Sequence, residues 1–118
     1  MTQNLEEIDF QLRQVREQLE DSERGYQKYE DNCEAADSIF QRVLHSFHED
    51  QAIWQDGEMR YRTESVSDEF SITQQQFRLK YEDMKEELIR EKSSLVKKLD
   101  SLLMEKQSLL AQEKSHEY

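Results

Sequence analysis

Apolar side chains recur along the first half of the chain in alternating steps of three and four. The series runs Leu5, Ile8, Leu12, Val15, Leu19, Ser22, Tyr26, Tyr29, Cys33, Ala36, Phe40, Val43, Phe47, and Ser22 is its one polar member. The residues between are mostly Glu, Gln, Arg and Asp. A strand would place alternate residues on one face, so this period excludes one. A period of 3.5 residues is instead that of a helix packed on another helix by knobs in holes. Asn4 followed by Glu7 fits the start of this helix, with the Asn side chain as cap and the carboxylate reaching back.

The second half carries two adjacent columns. Leu88, Leu95, Leu102 and Leu109 recur every seven residues, and so do Ile89, Val96, Leu103 and Leu110. Val66, Phe70, Phe77, Tyr81 and Met84 extend the face upstream. Ser65 with Asp68 offers a start for this second helix. Paired columns make a stripe broader than one coiled-coil seam requires.

Between the seams, Asp56-Gly57 is the best turn signal, because glycine takes positive φ without steric cost. Gly25 is flanked by seam residues in unbroken register, so it reads as a tolerated weak spot costing about 1 kcal/mol. If the chain reverses near residue 57, Leu5 lies near Leu110 and Phe47 near Val66 to Phe70. The expected fold is all-α, a long antiparallel two-helix hairpin of coiled-coil type. Arm one covers about 4–52, the tip about 53–62 and arm two about 63–114. The competing arrangement is one long helix that dimerises with another chain.

Composition agrees with long helices. The 118 residues include two glycines, no proline and one cysteine, too few breakers for the turns of a sheet protein. One cysteine cannot form an internal disulfide or a four-thiolate zinc site. No apolar run approaches the ~20 residues of a membrane span. The opening Met1-Thr2-Gln3-Asn4-Leu5-Glu6-Glu7 is acidic and does not read as a secretory signal peptide.

Charge narrows the partners. Of the formal net −11, residues 1–59 carry −10 (15 acids, 5 bases) and residues 60–118 carry −1 (12 acids, 11 bases). Nucleic acid demands a basic face, and the densest basic stretch, Arg78 to Lys106, mixes 8 bases with 7 acids. Neither nucleic acid nor an anionic membrane is an expected partner.

Candidate chemistry is sparse. His45 and His48 share a helix face by spacing but have no third His or Cys nearby, so they read as a solvated helix end and not a metal site. Cys33 sits on the seam and reads as a small buried thiol. Carboxylate pairs such as Glu6-Glu7 and Glu86-Glu87 lie on solvated faces, where nothing would shift a pKa for acid catalysis. There is no glycine-rich phosphate loop. No enzyme activity, cofactor or metal is expected.

Two helices bury only one seam between them. The column Ile89, Val96, Leu103, Leu110 therefore stands as the expected partner-binding face. Trp54 and Gly57 at the tip join it, Trp54 either as a staple over the hairpin end or as a recognition knob.

A helical hairpin with Trp and Gly at its tip resembles the ESX/WXG-type small proteins of type VII secretion. Those carry Trp-x-Gly, where this chain has the longer Trp54-Gln55-Asp56-Gly57. The closer resemblance is to the small α-helical proteins associated with LXG toxins. It rests on the acidic heptad arm, the aromatic-rich middle and the Glu/Lys/Leu-rich stretch from Tyr81 to Leu110. That resemblance implies a targeting partner that binds the helical N-terminal region of an LXG toxin for type VIIb export, together with a second small helical protein. It also implies cytoplasmic placement, with signal-peptide-independent export beside the partner as an extension. A targeting pattern of the form Tyr-x-x-x-Asp/Glu occurs in related substrates, and Tyr26-Gln27-Lys28-Tyr29-Glu30 matches it. The alternative is a homo-oligomeric coiled-coil scaffold, a homodimer in its simplest form.

Overall fold

The structure is a computed structural model and describes residues 4–116. It contains two helices, α1 (Leu5–Ile53, 49 residues) and α2 (Glu58–His116, 59 residues), and no strand among the described residues. They form the expected antiparallel hairpin. The N-terminus of α1 is capped as its sequence suggests: Asn4 Oδ1 accepts the Glu7 backbone N–H at 2.8 Å. That contact satisfies one of the donors a helix start leaves open.

The reversal is short. Trp54 to Gly57 connect the helices, and Gly57 holds φ at +87°, a left-handed conformation that favours glycine. The second helix begins at Glu58, ahead of the expected boundary near 63, and Ser65 and Asp68 lie inside it. Local pairs explain the early start. Arg62 reaches Glu58 at 2.7 Å, Arg60 reaches Glu64 at 3.0 Å, and Arg60 also donates to the Gln55 carbonyl. No glycine or proline interrupts the chain beyond Gly57 to oppose them.

The chain divides into two compact units. Unit one comprises Met1–Gln27 with Glu86–Tyr118, and unit two Lys28–Lys85. Unit one holds the apolar core: Ile8, Leu12 and Val15 of α1 are buried with Leu102 of α2, and Leu19, Leu99, Leu103 and Leu109 pack around them. Ser22 is buried on the same seam. Ion pairs Asp9–Lys106 (2.8 Å) and Glu23–Lys92 (3.4 Å) close one edge. Moving fourteen residues forward on α1 matches fourteen backward on α2, the one-for-one exchange of an antiparallel pair.

Unit two is aromatic. The Phe40 ring lies 5.2 Å from Phe70 and 5.4 Å from Phe77, and Phe47 lies 5.9 Å from Phe70. The pairing of Phe47 with Phe70 is the one that reversal near residue 57 predicts. Tyr29 stacks on Tyr81 at 5.1 Å. Ion pairs Asp37–Arg78 (3.1 Å) and Glu30–Lys85 (4.0 Å) advance and retreat by seven, again antiparallel.

Every expected seam residue of α1 is buried or half-buried. The upstream seam of α2 needs correction. Val66 and Met84 are exposed, whereas Ser67 and Lys85 are half-buried and Gln74 is buried. An apolar reading of the sequence passes over these polar residues. Helix geometry places them inward because they continue the seven-residue column through Tyr81 or lie beside it.

Candidate functional site

The outward column of α2 lies in unit one and is only partly as expected. Ile89 is 51% exposed, Val96 39% and Leu110 41%. Leu103 is the exception: it is half-buried and packs on the core of Ile8, Leu12, Val15 and Leu102. The reason is local. The buried cluster of Ile8, Leu12, Val15 and Leu102 reaches the neighbouring position, so the Leu103 side chain packs against it. Leu103 therefore serves the hairpin, and the free face is made by Ile89, Val96 and Leu110.

Beside Ile89 the surface is concave. A cleft of about 470 Å³ is floored by Ser22, Tyr26, Leu88 and Ile89 and flanked by the Glu23–Lys92 ion pair. A second cleft, of about 460 Å³, is lined in part by Ser22, Gly25, Leu88 and Leu95. Both adjoin Ser22, where a small side chain faces leucines and leaves space that a larger one would fill. Sequence reasoning missed these clefts, although their signal was present. Ser22 is the one polar seam member, and Gly25 follows it within a turn.

The tip residues belong to unit two, whereas the column belongs to unit one. Trp54 follows the end of α1, donates its backbone N–H to the Asp50 carbonyl at 2.9 Å and leaves its side chain exposed. Gly57 supplies the left-handed turn. Its backbone role is structural, because a Cβ there would meet open space but strain the chain.

The remaining candidates are accounted for by local contacts. His45 Nε2 lies 3.2 Å from Glu49 on an exposed face. Among the described residues no group of three or more His, Cys, Asp or Glu is placed to hold a metal ion. Cys33 is a half-buried free thiol. Tyr26 is half-buried on the seam and Glu30 pairs with Lys85, so the Tyr-x-x-x-Glu pattern lies within the helix α1.

Burial pushes the Tyr29 phenol up to about 12, assisted by its hydrogen bond with Cys33 and by the charges of Cys33, Tyr81 and Glu82. The group stays neutral at physiological pH and packs between the helices through its stack on Tyr81. No described helix is long and apolar enough to cross a membrane.

The arrangement offers a partly apolar face of α2 beside a cleft. No curated protein and no solved structure matches the chain. A family match does exist: residues 3–109 match the family described as Protein of unknown function (DUF3958), and the chain belongs to that family.

Proposed function

We propose that this chain is a non-enzymatic helical adaptor that binds the helical N-terminal region of an LXG toxin and presents it for type VIIb secretion. The observation that carries the reading is the face of Ile89, Val96 and Leu110, left outward on α2 after the hairpin has closed its own seam. Apolar residues at seven-residue spacing are what a helix presents to another helix. The cleft beside Ile89 supplies a hole for one large side chain of the partner. The resemblance to LXG-associated helical proteins names the partner class. In this reading the encounter occurs in the cytoplasm, before export, with a second small helical protein as a further member.

The test is co-expression with the helical N-terminal region of an LXG toxin, followed by isolation of the complex. A stable complex of defined stoichiometry is expected. Recovery of the two proteins separately, at concentrations where each is folded, overturns the reading.

A further inference from the structure

Unit two carries a face of α2 that the adaptor reading leaves unused. The inward column of α2 in this unit is Ser67, Gln74 and Tyr81. Ile72 and Leu79 stand five positions after the first two of these, about 140° round the helix. They are 55% and 68% exposed. Seven residues separate them, so they share one side of α2 about 10 Å apart along its axis. Between them on that side lie Gln75 and Gln76, both uncharged.

Carboxylates mark both ends of this apolar line. Asp68 and Glu69 stand one turn before Ile72, and Glu82 and Asp83 one turn after Leu79. Each lies roughly 40–60° to one side of the nearer apolar residue, so each end has a carboxylate on either flank. All four are exposed. The ion pairs of unit two use other carboxylates, namely Glu30, Asp37, Glu49, Glu58 and Glu64. Of the bases nearby, Arg62, Arg78 and Lys85 are held by Glu58, Asp37 and Glu30. Lys80 stands about 100° round from Leu79. Even with Lys80 counted, four carboxylates against one base leave the face at −3.

We propose that this face docks a basic amphipathic helix of another protein, with two apolar residues seven apart and lysines or arginines one turn beyond each. Apolar spacing and charge each specify part of that occupant. Ile72 and Leu79 repeat at the interval with which one helix meets another. The carboxylates at the two ends lie fourteen residues apart, about 21 Å, and set where the partner's bases must stand. Charge also rules against the other occupants. A second copy is itself at −11 and would bring the same four carboxylates against these. Nucleic acid and an anionic membrane present phosphate to carboxylate. The face belongs to unit two and the Ile89 face to unit one, so this proposal does not rest on the adaptor reading.

The test is fluorescence anisotropy of the full chain with a labelled synthetic helix of about 20 residues. The probe is alanine and glutamine except for two leucines seven apart and two lysines one turn beyond each leucine. Saturable binding that weakens as salt rises is expected. Ile72→Gln with Leu79→Gln is expected to weaken it at least about tenfold, with the helical circular dichroism retained. Asp68→Lys with Asp83→Lys is expected to weaken it by a similar factor and to create binding to a probe whose lysines are replaced by glutamates. Absence of saturable binding overturns the proposal. So does binding that ignores the Ile72→Gln/Leu79→Gln change, which is diffuse attraction to an acidic chain. Loss of helicity in that variant overturns it as well, because the two side chains then belong to the core. Self-association of the wild type that the same change abolishes, followed by sedimentation equilibrium, makes a second copy the occupant and overturns it too.

Discussion

Tyr29 of α1 donates its Oη–H to the backbone carbonyl of Tyr81 on α2 at 3.0 Å, and the two rings stack with planes 13° apart. One side chain thus ties the helices by both a polar and an apolar contact. The bond uses the neutral phenol as donor, which agrees with its pKa being pushed up to about 12. Ionisation is therefore harder in the folded state than in the unfolded one, where a tyrosine titrates near 10. The stabilisation is fully present below pH 10 and is lost as pH rises through about 12. Tyr29→Phe should cost about 1 kcal/mol at neutral pH and flatten the fall in stability between those values. Urea unfolding followed at several alkaline pH values checks both effects. An unchanged pH profile in the variant would sink the assignment.

The two glycines should respond in opposite directions. Gly25 lies within α1 with open space where a Cβ would stand. Gly25→Ala should stabilise the chain by about 0.5–1 kcal/mol through helix propensity. Gly57 holds a positive φ, so Gly57→Ala should destabilise by about 1 kcal/mol despite equal room. Thermal melts of the two variants decide the matter by the sign of each shift.

Core and apparent seam should separate by magnitude. Leu12 is buried in the cluster of unit one, so Leu12→Ala should cost about 2–5 kcal/mol. Val66 fits the same sequence pattern but is exposed, and Val66→Ala should fall within about 0.5 kcal/mol. Comparable losses at the two positions in denaturant titrations would contradict the placement of Val66.

Charging the outward face should break partner binding and nothing else. Ile89→Glu with Val96→Glu should leave the helical circular dichroism unchanged and abolish the complex with the LXG region. Leu103→Glu should unfold unit one, because Leu103 packs on the core. If Ile89→Glu with Val96→Glu also removes helicity, that column belongs to the core and the adaptor face must lie elsewhere.

Local order was legible without the structure. The unbroken three-four spacing from Leu5 to Phe47 specifies a helix and its inward face, since few other conformations return a side chain to one side every 3.5 residues. Asn4 and Gly57 mark where α1 starts and where the chain reverses, because cap and turn chemistry depend on one residue and its neighbours. Long-range contacts decided the rest. In α2, polar Gln74 is buried and apolar Val66 and Met84 are outward, because α1 and not hydropathy selects which residues are covered. Leu103 turned inward because a core happened to extend to it. The clefts at Ser22 exist only where a short side chain meets leucines of the opposite helix. Periodicity reports what one helix repeats. Which of those repeats becomes core and which becomes surface is settled by the second helix, through the volume it fills and the side chains it leaves uncovered.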